Sequence, residues 1–330
     1  MKKLLILHKH LRGGGAEISL INLIPILRRK GFDISVSLVF NERILKERVP
    51  VDMEIDFLFP KATTEYKHCI RHDAARIGTC LLPDYDIEVA YLEGYPTAII
   101  SQSSNQSSYK VAWIHSDFRN NHHSANAFIN LEAEKDAYLR FDHLVFCSHA
   151  ARQGFDEIIG IASHQKQDVF LPLPSKDDIN RFASAYSVDE LTPFFCTMAR
   201  LAPEKGMIRL VEAVNIIKCM GLSIRILVFG EGTERQQIEM KISELSLQQN
   251  IILKGFYENP YPYLKSCQAY ICPSIGESFC LAAYEAKLLN KKIIACDSSG
   301  IREVLHGYPL GLIVDNNVHG LVQGLLTLLL

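Results

Sequence analysis

The sequence predicts an α/β protein of two domains, each built on a parallel sheet. Three observations carry this. Short apolar runs suited to buried strands alternate with helical stretches along the whole chain. The 330 residues suffice for two domains of ordinary size. A Pro-rich connector, Phe170-Leu-Pro-Leu-Pro-Ser175, interrupts the alternation near the middle. The domains are therefore expected at residues 1–175 and 176–330.

Bulk composition narrows the class. Hydrophobic content of 48% and charged content of 22% fit a globular chain. Lys and Arg total 35 against 37 Asp and Glu, so no basic excess points to nucleic acid. The nine cysteines include no Cys-x-x-Cys pair. Cys147, Cys196, Cys272 and Cys296 lie in apolar runs and read as small core residues of a reducing compartment. Cys267 and Cys272 are close in sequence, but no Cys/His set has zinc spacing, so no metal ligands are expected. The apolar start stops at His8 and reads as a first strand rather than a signal peptide. No segment reaches the roughly 18–20 apolar residues of a membrane span.

The elements follow in order. Lys3–Leu7 is a buried strand, His8–Gly15 a loop, and Ala16–Lys30 a helix that Pro25 should kink. Gly31 stops it, and a second strand follows. The triplet Gly13-Gly14-Gly15 lacks the spacing of a dinucleotide fingerprint but lets backbone amides approach a ligand. Asp84-Tyr-Asp86 has an Asp-x-Asp spacing that can hold a metal–nucleotide, but it directly precedes the strand Ile87–Leu92 and reads as the loop leading into it. The polar run Ser101–Ser108 reads as a mobile loop. The strand of Lys110–Ile114 delivers His115 at its C-terminal end, where open α/β sheets place ligands. Asp117 and Arg119 are its expected neighbours. Strands at Leu144–Ser148, Phe194–Ala199, Ser223–Phe229 and Asn250–Gly255 continue the pattern. Helices are expected at Ala150–Ile159 and Met207–Met220, and another behind a capping box at Thr233–Gln236. Leu321–Leu330 reads as a core helix.

Two stretches carry chemistry. Arg200-Leu-Ala-Pro-Glu-Lys205-Gly closes a strand, and its two cations, five residues apart around a Pro turn, can converge on one dianion. Between the strands Ala269–Cys272 and Lys292–Cys296, a helix is expected over Phe279–Asn290 with Ser278 as its N-cap. Its first-turn amides, from Ser278 through Phe279 and Cys280 to Leu281, form an anion site. Glu277 stands at the helix mouth and Glu285 about two turns on, so the two carboxylates could hold hydroxyls on either side of a phosphate. A pair at this spacing also occurs on solvated helix faces.

Taken with its neighbourhood, this Glu-x7-Glu stretch resembles the donor site of retaining glycosyltransferases, especially glycosyltransferase family 4. The Arg200…Lys205-Gly turn, the Gly-Gly-Ala-Glu loop and the run Val111-Ala-Trp-Ile-His-Ser-Asp117 are similar to the same family. The resemblance implies two Rossmann-like domains with parallel sheets facing a central cleft, the GT-B type. It implies that Glu277 touches the donor sugar, Glu285 the ribose, and Arg200 and Lys205 the diphosphate. It places His115 against the sugar's reacting face, the Gly14–Gly15 loop beside the diphosphate, Gly230 near the nucleotide and Phe256 near the base. The implied reaction is metal-independent transfer of a hexose from a nucleotide-sugar, expected to be a UDP-sugar, with no further cofactor. The acceptor would be a glycan or lipid-linked saccharide of a bacterial surface polysaccharide. The N-terminal domain would hold it and the C-terminal domain the donor. Two rivals stay open, a nucleotide-sugar 2-epimerase and a non-catalytic partner subunit. Family members usually carry a further C-terminal helix crossing back to the first domain, expected here to be short or missing. Residues 1–80 hold 14 Lys and Arg against 9 Asp and Glu, a net of +5. That balance, with Arg28–Lys30, Lys46, Arg48, Lys67, Arg71 and Arg76, suits either solvated helix ends or contact with anionic lipid. The expected location is cytoplasmic, at the inner face of the membrane if that contact forms.

Overall fold

The computed structural model describes residues 1–330 except 43–44, 46–48, 51, 80–83, 121 and 191. Lys46 and Arg48 of the basic set lie outside the described residues. The chain forms two compact units, Met1–Leu173 and Pro174–Leu330.

In the first unit, β1 (Lys2–His8), β2 (Phe32–Phe40), β3 (Ile55–Phe59), β4 (Ile87–Ala90), β5 (Tyr109–Ile114), β6 (His143–Phe146) and β7 (Lys166–Val169) form one sheet. Its order is β3-β2-β1-β4-β5-β6-β7, and every recorded pairing is parallel. Parallel neighbours require crossovers, which α1 (Gly15–Arg29), α2 (Thr64–Gly78), α3 (Tyr95–Ile100), α4 (Leu131–Tyr138) and α5 (His149–Ile158) provide. α1 continues as one helix through Pro25. Strand β3 and helices α2 and α3 carry no pattern strong enough to have been expected. α2 is crowded with charged residues and histidines and buries few side chains. The strand order reverses between β1 and β4, which marks the crevice at their carboxyl ends.

One expectation fails here. The run Ser101–Ser108 is not a free loop but a packed one. Ser101, Ser103, Asn105 and Ser108 are buried. Ser103 and Ser108 hydroxyls each donate at 2.7 Å to the fully buried Glu88 carboxylate. Lys110 Nζ donates to the Asn105 carbonyl at 2.6 Å. A buried carboxylate needs such partners, and the polar run supplies them.

The second unit opens on α6 (Lys176–Ala183). Its strands β8 (Phe195–Met198), β9 (Ile226–Phe229), β10 (Ile251–Gly255), β11 (Ala269–Cys272), β12 (Lys292–Cys296) and β13 (Gly311–Val314) form a parallel sheet ordered β10-β9-β8-β11-β12-β13. Helices α7 (Met207–Cys219), α8 (Arg235–Glu244), α9 (Tyr261–Ser266), α10 (Leu281–Leu288), α11 (Ser299–Leu305) and α12 (Val318–Leu329) connect and cover it. Leu321, Val322 and Leu325 of α12 enter the same core as Leu210, Val214 and Ile217 of α7. The order reverses between β8 and β11, and that reversal positions the site. The capping box at Thr233–Gln236 does not form, because α8 starts at Arg235 behind Glu234 with no side-chain cap. Among the described residues no helix is long and apolar enough to cross a membrane.

Candidate functional site

The loops leaving β8 and β11 run side by side from the reversal point. After β8 comes a short 3-10 turn over Pro203–Lys205, and Gly206 follows at φ 65°. A β-carbon on Gly206 would stand 2.2 Å from the Pro273 carbonyl oxygen, so both the backbone angle and the close approach require glycine. That approach brings Lys205 against the β11 loop. Lys205 Nζ donates to both Glu277 oxygens, at 2.8 and 2.9 Å, across 72 residues of sequence. The side chains are only 17% and 9% exposed. Burial works against the ammonium, but the Glu277 carboxylate outweighs it and leaves Lys205 above its ordinary pKa.

The loop carrying Glu277 is held from four directions. Arg209 Nη2 donates to the Pro273 carbonyl at 2.6 Å, and Ile275 N–H to the Glu204 carbonyl at 2.8 Å. Asn316 Nδ2 donates to the Ile275 carbonyl at 2.7 Å, and Gly300 N–H to the Glu277 carbonyl at 2.9 Å. The Ser274 hydroxyl donates to Glu277 Oε1 at 2.7 Å. Sequence reading missed Arg209, Asn316 and Gly300, because no local motif reports a contact made more than 20 residues away, and it missed Ser274, three residues before Glu277, because no helix cap or known motif marks that contact.

The helix behind this loop begins later than expected. Ser278 is not the cap. α10 starts at Leu281 behind Cys280, which makes no side-chain cap. The physical reason is Gly300, whose added β-carbon would meet the Ser278 carbonyl carbon at 2.5 Å and Glu277 O at 2.6 Å. Residues 277–279 are pressed against the start of α11 and remain outside the helix. The free amides are those of Leu281 and the two residues after it, and Ser278 and Phe279 lead up to them. Glu285 lies in α10, 6% exposed, and accepts from the Tyr261 hydroxyl at 2.9 Å. It is buried, not on a solvated flank.

The remaining expected residues lie at strand ends of the same unit. Arg200 is exposed, its Nη2 3.3 Å from Glu204 Oε1, so it does not join Lys205 in the buried pair. Gly230 takes φ 140° at the end of β9, where a β-carbon would stand 1.9 Å from the Ala199 carbonyl oxygen. Phe256, just past β10, is 39% exposed. Cys280 is buried with its Sγ 3.7 Å from Cys272 Sγ. With a Glu277 oxygen, these sulfurs make a set of possible metal ligands within 4.8 Å of one another. Spacing rules missed it because one member is a carboxylate and the cysteines are eight residues apart.

In the first unit the reversal point gathers His8 at the end of β1, Tyr91 after β4 and His115 after β5. His8 Nδ1 lies 3.1 Å from the Tyr91 carbonyl oxygen, which can only accept. Nδ1 therefore carries the proton and Nε2 the lone pair. Nε2 of His8 and of His115 are both buried without a hydrogen-bond partner. Burial pulls His115 down to about 3, aided by His8. It pulls His8 down to about 4 against the opposing charge of Glu17. Burial would raise Glu17, but His10, at 3.0 Å, and His8 outweigh it and hold the carboxyl at about 2. Gly14 caps α1 beside Glu17, and Gly15 is the helix's first residue. Asp117 is spent on Arg119, accepting from Nε at 2.9 Å and Nη2 at 2.8 Å. Asp86, of the Asp-x-Asp pair, accepts from the Lys3 amide at 2.7 Å.

A pH dependence of stability follows. The unfolded His115 takes its proton near 6.5, the folded one only near 3. Between those limits the unfolded state binds more protons, so stability falls as pH falls. Going from pH 6.5 to 5.0 should cost about 1.5 kcal/mol through this residue. Urea midpoints at both pH values should show that much less loss in His115→Gln; equal losses would rule this out.

Residues 178–330 match the family model described as glycosyl transferases group 1. Over 348 aligned positions the chain is 25% identical to the Campylobacter jejuni N-acetylgalactosamine-N,N'-diacetylbacillosaminyl-diphospho-undecaprenol 4-alpha-N-acetylgalactosaminyltransferase, covering 100% of this chain and 90% of the relative. It is 23% identical over 236 residues to the Bacillus subtilis poly(glycerol-phosphate) alpha-glucosyltransferase, covering 70% of this chain and 34% of that one. The solved structure of Anabaena Alr3699/HepE with UDP and glucose superimposes with a TM-score of 0.77 at 18% identity, covering 99% of this chain and 89% of HepE. The matched segment is the one that brings Lys205, Glu277 and Glu285 to the strand reversal, and the double-sheet fold shared with HepE extends over the whole chain: the second unit carries the match to glycosyl transferases group 1, and the chain has the GT-B type of fold.

Proposed function

We propose that the chain moves a hexosyl unit, with retention of configuration and without a metal, from a UDP-sugar to a glycan or lipid-linked acceptor of a bacterial surface polysaccharide. The observation that carries this is the buried Lys205–Glu277 pair at the β8–β11 reversal, directly before the amides of α10. The second unit takes the nucleotide-sugar. Departure of the diphosphate builds negative charge, which Lys205, Arg200 and the α10 amides are arranged to stabilise. Glu277 orients the sugar while its pairing keeps Lys205 in place. Glu285, steadied by Tyr261, accepts from a ribose hydroxyl. UDP is favoured because HepE is solved with UDP and with UDP-glucose.

The first unit takes the acceptor, with the neutral His115 offering a buried nitrogen to a sugar hydroxyl. The Campylobacter relative is named for an undecaprenyl-diphosphate-linked acceptor, which supports a lipid-linked one here. Such an acceptor would place the chain at an anionic membrane face. The positive balance of residues 1–80 favours that, although Arg28 and Arg76 are paired with Asp52 and Asp73.

The test is a screen of nucleotide-sugars for binding, nucleotide release and incorporation into lipid-linked saccharides. Sugar in a new linkage would exclude an epimerase. EDTA is expected to leave the rate within a few-fold. Full loss restored by Mn²⁺ would turn attention to Asp84 and Asp86 instead.

A further inference from the structure

We infer that Cys272, Cys280 and Glu277 form a binding site for one thiophilic divalent cation of the zinc type, and that its occupation shuts the donor site by taking Glu277. The inhibitory half of this rests on the role proposed for Glu277; the binding half does not. Cys272 ends β11 and Cys280 caps α10, so the loop carrying Glu277 closes on itself and sets the two sulfurs 3.7 Å apart. Zinc–thiolate bonds are about 2.3 Å, and two such ligands in a tetrahedron stand about 3.8 Å apart. The sulfurs therefore already span one tetrahedral edge, and a Glu277 oxygen lies within 4.8 Å of both. The Ser274 hydroxyl, 3.5 Å from Cys272 Sγ and 2.7 Å from Glu277 Oε1, stands where a fourth ligand or its water is needed.

Charge also closes. Two thiols lose one proton each on binding, and the cation with two thiolates and one carboxylate carries a net charge of −1. Lys205 neutralises it. Lys205 now contacts both Glu277 oxygens, so the cation needs only one of them and Lys205 keeps the other. Glu277 is then committed on both oxygens and unable to turn to a sugar. The cation is an inhibitor here, which is consistent with turnover that needs no metal.

The experiment titrates Cd²⁺ into the full chain, kept reduced without added thiols, and follows the ultraviolet thiolate-to-metal band. One Cd²⁺ per chain is expected, with release of two protons. Cys272→Ser and Cys280→Ser should each weaken binding at least about tenfold. Cys219→Ser, at an exposed cysteine, should bind like the parent. Zn²⁺ should raise the melting temperature of the parent chain, a readout that needs no variant. Zn²⁺ should also slow sugar transfer, with EDTA restoring it. A parent chain without the band, a band of parental strength in both serine variants, or Zn²⁺ bound with transfer undiminished would each overturn the inference. Absence of transfer from every nucleotide-sugar would overturn the proposed function, while the Cd²⁺ titration would still decide the site.

Discussion

Lys205→Ala is expected to lower the turnover of sugar transfer by about 10²–10³, the usual cost of losing a group that stabilises charge in the transition state. It should also lower stability. Glu277 would remain nearly buried with Ser274 as its recorded side-chain partner, and breaking a buried pair from one side costs about 3–5 kcal/mol. The two effects can be separated. Lys205→Met with Glu277→Gln removes both charges, so stability should recover in large part while turnover stays low. Steady-state kinetics and urea unfolding on the single and double variants form the cycle. A folded Lys205→Ala chain with near-normal turnover would remove Lys205 from the mechanism. Recovery of turnover in the double variant would make the pair a purely structural device.

The second large effect separates the two glutamates. Glu277→Gln should lower kcat by about 10² with little change in UDP affinity, because an interaction that strengthens only as charge develops acts on turnover. Glu285→Gln should weaken the binding of UDP without sugar by about tenfold or more, because a ribose contact is made equally in ground and transition states. Glutamine at 285 can still accept from the Tyr261 hydroxyl, so that hydrogen bond is retained in the variant. Steady-state kinetics with calorimetry of UDP on both variants decides the matter. Intact UDP affinity in Glu285→Gln together with weakened affinity in Glu277→Gln would reverse the roles and with them the orientation of the donor.

Much of this was legible without coordinates. The strand-and-helix alternation is written in local hydrophobic period, and period is a property of neighbours along the chain. The parallel sheets follow, since strands separated by helices pair that way. The groups of the proposed donor site could also be named from the sequence, Lys205 and Glu277 because they follow strand ends and Glu285 by its spacing from Glu277. What could not be read was partnership. Lys205 meets Glu277 across 72 residues because the sheet order reverses between β8 and β11, and strand order is decided by how helices cover both faces. The same holds for His8. It looks like the first residue of a loop, and only the neighbouring β4 and β5 bury it beside Tyr91 and His115.

Local rules failed where tertiary contacts overrode them. Ser278 has the chemistry of a helix cap, but the close approach of Gly300 keeps residues 277–279 out of α10. Ser101–Ser108 has the composition of a mobile loop, but the buried Glu88 carboxylate needs hydroxyl partners and recruits it. Cys272 and Cys280 have no metal spacing, and the fold of one loop sets their sulfurs 3.7 Å apart. The sequence by itself determined which groups are present and which segments become strands or helices, because these depend on residues within a few positions of one another. The tertiary structure alone decided which groups meet, because desolvation and backbone closeness act through space and have no signature along the chain.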